Sequence, residues 1–405
     1  ANRRTLTERV VLDLFSRLPH GHLHVLLPDG TDLTVGAADS AHRATIRVLR
    51  PEFFTKVVLY GDIGFAEAYM DGDWETDNLT AVLQLMLLNL EEIAVLSGSK
   101  RRFSPMNVLK VLNRFGHELS QNSKRGSRKN ISAHYDLSND FFRLFLDPTM
   151  TYSSAVFTEP AQTLEEAQIE KYDRLCRKLK LRPEDHVLEI GSGWGGFAVH
   201  AAKNYGCRIT TVTISKEQYA YAAERFAREG VADRVEIQLK DYRDIEGEYD
   251  KMVSIEMLEA VGHKFLPAYF GKIQQVLKRQ GIAAFQVITS PDSRYAQFRK
   301  SVDFIQKHIF PGSLLPSIAA MNEAVNKTGD MHLHHLEEFG LSYAKTLALW
   351  KKAFNERLDQ VRSLGFDDSF VRKWNYYLSY CEAGFAMRNI NVVQMVYARP
   401  NNLVV

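Results

Sequence analysis

The chain has 405 residues, 45% hydrophobic and 25% charged, and its 51 Lys+Arg against 49 Asp+Glu leave a net charge of +2. That composition excludes a disordered, collagen-like or disulfide-stapled chain. It carries no global basic signature of a nucleic-acid binder, and its length suggests two or three domains at roughly 100–200 residues each.

In chain order, the N-terminal stretch ANRRTLTERVVLDLF lacks a signal-peptide layout. Its spacing predicts an amphipathic helix with Val10, Val11, Leu14, Phe15 and Leu18 on one face. His22–Leu27 and Thr31–Val35 flank the turn Pro28-Asp29-Gly30 as a hairpin, with His20, His22 and His24 alternating on its exposed face. Ala44–Leu49 reads as a third strand, and Pro51–Met70 and Leu79–Leu96 as helical. The most apolar run, Ala81–Leu90, is interrupted by Gln84 and Asn89 and is far short of the roughly 20 residues of a membrane span. Residues 1–98 therefore read as a small α+β domain without a catalytic constellation.

Charge then switches sign. Asp62–Glu92 holds eight acids and no Lys or Arg, whereas Lys100–Lys129 holds nine basic residues and one acid, Glu118. Val108, Leu109, Val111, Leu112 and Phe115 recur at helical spacing within the second stretch. Residues 99–130 read as a basic linker. It is either solvated or drawn to anionic phospholipid headgroups, at roughly 1 kcal/mol per Lys or Arg. Nucleic acid is not expected, because no aromatic interleaving accompanies the charge.

From about residue 165 strands and helices alternate. His186–Ile190, Arg208–Thr213, Val235–Leu239, Lys251–Ile255 and Ile282–Ile288 read as strands of a parallel, doubly wound sheet. Helices Tyr343–Leu364 and Asp368–Arg388 precede a last strand, Val392–Tyr397. Cys176, Cys207 and Cys381 are far apart with no CxxC, against a disulfide framework or cysteine zinc site and for a reducing cytoplasm. Met331-His332-Leu333-His334-His335 matches no structural zinc spacing, so no metal is expected.

The strongest motif is Val187-Leu188-Glu189-Ile190-Gly191-Ser192-Gly193-Trp194-Gly195-Gly196. A strand runs into a glycine loop and then a helix, which lets a ligand approach the backbone closely. A pyrophosphate cradle would disfavour Glu189, whereas the cationic amino group of S-adenosylmethionine would favour it. Thr213-Ile214-Ser215-Lys216-Glu217-Gln218 follows the second strand, with a Ser215/Gln218 capping box as the plainer reading. Asp241 and Tyr242 follow the third strand, where an adenine would meet a carboxylate and a ring.

Other segments carry a family resemblance: His134-Tyr135-Asp136-Leu137-Ser138-Asn139-Asp140-Phe141-Phe142, Leu146–Ser154, the glycine loop, Thr213–Gln218, Ser254–Gly262, Phe310-Pro311-Gly312, Tyr343 and Tyr376–Cys381. From about 130 to 399 the chain resembles the bacterial cyclopropane-fatty-acyl-phospholipid synthases and the related mycolic acid cyclopropane synthases and methyltransferases. The resemblance implies a class I S-adenosylmethionine methyltransferase fold, Rossmann-like, over 131–405. It implies methylene transfer to the cis double bond of a phospholipid acyl chain through a carbocation, giving a cyclopropane. A methyl-branched or methylene lipid is the alternative, and a non-catalytic lipid-binding protein is the alternative of another class. The cofactor set is then Tyr152, Ser153, Glu189, Gly191, Gly193, Trp194, Gly195, Thr213, Ile214, Gln218, Asp241 and Tyr242, with His134 and Tyr135 in the substrate pocket.

In the family a bicarbonate ion is the base. The resemblance places Glu259, Tyr343, the backbone of Ile288 and that of Ser154 around it. Ser154 stands where a Cys is commonest, and Gln286 stands where the pattern has His. Cys381 matches a family cysteine, although a packed small hydrophobe is the plainer reading. Glu259→Gln is expected to abolish turnover while leaving cofactor binding nearly intact, and Glu256 to be a surface residue or one that supports the site from behind. The resemblance further implies a cytoplasmic protein, peripheral to the membrane's inner face and compatible with a homodimer.

Overall fold

The computed structural model describes residues 4–90 and 137–405. Of these, residues 4–90, 297–311 and 350–389 form one compact unit, and residues 137–296, 312–349 and 390–405 form another. The linker over 99–130 and the pocket residues His134 and Tyr135 lie outside the described residues.

In the first unit β1 (His22–Leu26), β2 (Asp32–Gly36), β3 (Arg43–Val48) and β4 (Trp74–Glu75) line up in the order β2-β1-β3-β4. The expected hairpin is there, with β1 antiparallel to β2 and parallel to β3. The first helix, Leu6–Ser16, buries Val11 and Phe15, but Val10 is 44% exposed and does not share that face. The stretch expected as one helix over Pro51–Met70 is two, Glu52–Tyr60 and Asp62–Met70, broken at Gly61. Trp74 is fully buried against Phe53 and Phe65, and its Nε1 donates to the Phe65 carbonyl at 3.0 Å.

The compact units do not follow the continuous 131–405 division drawn from the sequence. The helix Asp368–Ala386 packs on Leu79–Leu88 and Asp62–Met70. Lys351 Nζ donates to Glu382 Oε2 (2.5 Å) and to Thr80 Oγ1 (2.6 Å), and Arg372 Nη1 to the Tyr69 carbonyl (3.2 Å). A late stretch of chain thus supplies apolar surface that the four short strands lack on their own.

In the second unit β5 (His186–Ile190), β6 (Arg208–Thr213), β7 (Val235–Leu239), β8 (Tyr249–Ile255), β9 (Leu277–Thr289), β10 (His332–Glu338) and β11 (Asn391–Ala398) form one sheet. Their order is β10-β11-β9-β8-β5-β6-β7. β5 to β9 run parallel, and β11 is antiparallel to both β9 and β10. One core packs helices Leu266–Val276 and Ile318–Thr328 on one face of the sheet. A second packs helices Leu164–Leu179, Gly196–Tyr205 and Lys216–Arg228 on the other. With both faces covered, the central strands read as continuous apolar runs, which is why they were legible. β10 was not, because it is an edge strand with His332, His334 and His335 exposed.

Strand order reverses direction at β5, and in open sheets of this kind ligands bind at such a point, beyond the carboxyl ends of the strands, here β5, β6 and β8. Gly195 fixes the start of the helix beside it. Its φ is +83°, and a Cβ there would lie 2.6 Å from the Phe226 ring. Gly195→Ala should therefore cost about 2–4 kcal/mol, from overpacking and the left-handed backbone. A thermal-unfolding midpoint several degrees lower is expected.

Candidate active site

Glu189 is the penultimate residue of β5 and is buried, and its Oε2 accepts from Thr211 Oγ1 at 2.6 Å. Burial pushes its carboxyl up to about 8, opposed by Thr211 and Lys171. After it, the amides of Gly191 and Ser192 donate to the Val212 carbonyl (3.0 and 3.1 Å), tying the glycine loop to β6. A Cβ on Gly193, where φ is +49°, would meet nothing within 4 Å. The loop therefore opens on space there, beside a buried acid. That chemistry fits the sulfonium and ammonium of S-adenosylmethionine.

Trp194 is buried, its Nε1 donating to Asn139 Oδ1 at 2.7 Å and its ring 5.0 Å from Phe142. Phe142 also meets Tyr152 at 5.2 Å. At the end of β6, Thr213 Oγ1 donates to Gln218 Oε1 (2.9 Å) and accepts from the Ser215 amide (3.1 Å). Ser215 caps the helix by accepting from the Gln218 amide, but the Gln218 side chain turns to Thr213. Only half of the expected capping box is formed, while Ile214 is partly exposed beside it. Asp241 is engaged by Arg243 through Nε (2.8 Å) and Nη2 (2.9 Å), an ion pair the sequence reading missed. Arg243 also lies over the Tyr242 ring.

The second half of the site surrounds Glu256, at the end of β8. Its φ is +48°, a left-handed conformation that costs a non-glycine residue about 1–2 kcal/mol. Its amide donates to the Gln286 carbonyl at 2.7 Å. Its Oε1 accepts from the Ser154 amide (2.8 Å) and from Gln286 Nε2 (2.8 Å), and its Oε2 from the Tyr343 hydroxyl (2.8 Å). Burial raises the Glu256 carboxyl, and the Gln286, Ser154 and Tyr343 bonds and the Lys171 charge pull against it. Glu259 stands apart from these donors. Its Oε1 accepts from the Ile288 amide at 2.5 Å, and its Oε2 is buried with no hydrogen-bond partner. Burial, and then the Glu256 charge, push it up to about 8, so it holds its proton at neutral pH.

Gln286, Tyr343 and the Ser154 amide, expected around a bicarbonate ion, are thus gathered on the Glu256 carboxylate, and the Ile288 amide is on Glu259. The Ser154 hydroxyl bonds the Ala155 carbonyl, so the contact is through the backbone. The donor set, being filled by a side chain, does not fit bicarbonate, and Glu256 is central rather than peripheral. Cys381 belongs to the first unit, where burial keeps its thiol protonated.

Lys171 was also missed. It is fully buried, and its Nζ donates to Ser153 Oγ at 2.7 Å and lies 4.5 Å from the Tyr172 ring centre. Gln168 Nε2 holds the Ser153 carbonyl at 3.0 Å. Burial lowers the Lys171 ammonium to about 7, against the Glu256, Asp147 and Glu189 charges. A signal was available: Gln168 and Lys171 share helical spacing with Leu175 and Leu179, placing two polar side chains on an apolar face.

A sheet of this strand order, with a buried acid ahead of a glycine loop at its switch point, marks an S-adenosylmethionine-dependent methyltransferase of class I. The family described as "Mycolic acid cyclopropane synthetase" matches residues 122–395, and the chain belongs to that family. It is 39% identical over 388 residues to the tuberculostearic acid methyltransferase UfaA1 of Mycobacterium tuberculosis, covering 94% of this chain and 88% of that protein. It is 36% identical over 365 residues to the cyclopropane-fatty-acyl-phospholipid synthase of Escherichia coli, covering 90% of each. The crystal structure of mycolic acid cyclopropane synthase CmaA1 complexed with SAH and CTAB matches with a TM-score of 0.62 at 33% identity, over 67% of this chain and 97% of that one. The protein is an S-adenosylmethionine-dependent enzyme that transfers a one-carbon unit to lipids in the manner of the cyclopropane fatty acid synthases.

Glu189 yields a binding prediction. S-adenosylhomocysteine carries the same amino group as the cofactor. Pairing that cation with a carboxyl that sits near 8 when free stabilises the ionised form, so binding releases a proton. Affinity measured by calorimetry should rise between about pH 6 and about pH 7.5. Glu189→Gln should weaken binding about tenfold, the loss of a charged pairing, and remove that slope.

Proposed function

We propose that this enzyme methylates the cis double bond of an unsaturated phospholipid acyl chain, and that Glu256 is the base that ends the reaction. The observation that carries this reading is the convergence of the Ser154 amide, Gln286 and Tyr343 on one carboxylate. The cofactor supplies a methyl group whose former bonding pair stays on sulfur. The alkene's π electrons form the new carbon–carbon bond, leaving a cation on the neighbouring carbon. Aromatic faces tolerate a passing cation, and Phe142, Phe145, Tyr152 and Trp194 form one cluster of rings. Glu256 accepts the proton that the transferred carbon must lose. Glu259, holding its own proton, does not compete.

The product follows from a race. A hydride shift turns the secondary cation into a more stable tertiary one. Proton loss before the shift closes a cyclopropane; proton loss from the transferred carbon after it leaves a methylene (C=CH2) branch on the open chain. A carboxylate tethered to β8 and held by three donors cannot follow the reacting carbon as a free ion does, which favours the shift. The methylene-branched lipid is therefore the first reading, and the name of the Mycobacterium tuberculosis relative supports branching. The cyclopropane is the second, and the name of the Escherichia coli relative supports both the ring and the phospholipid substrate.

Expression in a host lacking its own cyclopropane synthase, fed methyl-deuterated methionine, tests the product by mass spectrometry. A branched chain with two deuteriums on the methylene carbon is expected; two deuteriums on a ring would overturn the first reading. For the base, Glu256→Gln should lower kcat at least about 100-fold, with S-adenosylhomocysteine affinity within about twofold. Glu259→Gln should retain much more activity, because a glutamine mimics the protonated acid. A base works ionised, so kcat should rise with pH through a value above the ordinary carboxylate range. Turnover by Glu256→Gln near the parent rate would remove Glu256 from the role.

A further inference from the structure

A glutamine amide has a donor end and an acceptor end, and only the donor end serves a carboxylate. Gln286 is fully buried in β9, with Nε2 donating to Glu256 Oε1 (2.8 Å) and to the Ser154 carbonyl (3.1 Å). Turned over, it would set its oxygen against two acceptors. Behind it, in register on β11, lies Gln394, also fully buried. Gln394 Nε2 donates to Gln286 Oε1 at 3.1 Å, and Gln394 Oε1 accepts from Lys178 Nζ at 2.7 Å. Lys178 Nζ also donates to Glu337 Oε2 at 2.6 Å, on β10, and Glu337 Oε1 accepts from Arg174 at 2.5 Å.

An ammonium donates and cannot accept. Lys178 therefore dictates which end of Gln394 faces it, and Gln394 in turn dictates which end of Gln286 faces Glu256. Burial favours the neutral amine at Lys178 and the Glu337 carboxylate opposes this; the ion pair with Glu337, at 2.6 Å, is the contact of an ammonium. The chain crosses three neighbouring strands and ends at a partly exposed carboxylate.

We propose that Lys178 and Gln394 are positioning residues that give the hydrogen-bond chain from Lys178 through Gln394 and Gln286 to Glu256 a single sense, so that a donor always faces the base. The proposal rests on the reading of Glu256 as the base.

The test uses the full chain with S-adenosylmethionine and dioleoyl phosphatidylglycerol vesicles. Active sites are counted by S-adenosylhomocysteine binding, so that kcat refers to folded enzyme. Lys178→Met should lower kcat about tenfold, as for loss of one hydrogen bond to a charged group, with KM for both substrates within about twofold. Lys178→Arg, still a donor only, should recover most of the rate. Gln394→Met should fall as far as Lys178→Met. Parent-like kcat in Lys178→Met or Gln394→Met would overturn the proposal, as would equal losses in Lys178→Met and Lys178→Arg. Glu256→Gln separates the two readings. If it turns over normally, the base assignment fails; if it is inactive while Lys178→Met is parent-like, only the positioning chain fails.

Discussion

A carboxylate withdrawn from water persists only where other donors replace the water. At the end of β8 that requirement is met by one backbone amide, one side-chain amide and one hydroxyl, drawn from three separate parts of the second unit. Glu256 reaches them from a left-handed backbone position that glycine would occupy without strain. Strain at a single residue, offset by three charge-assisted hydrogen bonds, points to a side chain that is needed where it stands.

The arrangement also sorts the charges around it. Two buried carboxyl groups near each other do not both ionise readily. Glu256 takes the donors, while burial and the Glu256 charge raise the Glu259 carboxyl to about 8. Lys171, buried on the helix over Ser153, lends positive charge toward Glu256 and Glu189 alike. It shares with Gln168 the task of holding Ser153, and the next amide, that of Ser154, reaches Glu256. The surroundings of Lys171 and those of Glu256 are thus mechanically linked through two consecutive residues.

Much of this was legible in the sequence, for physical reasons. Buried parallel strands leave apolar runs, and β5, β6 and β7 fall on the expected residues. The glycine loop shows because its backbone conformations demand glycine. What stayed hidden depends on distance in the chain. β10 lacks an apolar run because it lies at the sheet edge. The helix Asp368–Ala386 looks like any amphipathic helix, and nothing in its spacing tells which unit it packs in. Glu256 was passed over because an acid after a strand is ordinary. Its meaning depends on Ser154, Gln286 and Tyr343, which lie 102, 30 and 87 residues away.

The central claim is that the base belongs to the protein. Its most direct test is the rate of methyl transfer to vesicle lipid in buffer stripped of carbon dioxide, before and after bicarbonate is restored. With Glu256 already on the Ser154, Gln286 and Tyr343 donors, the two rates should be equal. A rate that falls on stripping and recovers with bicarbonate would contradict the account and return the proton to a bound ion.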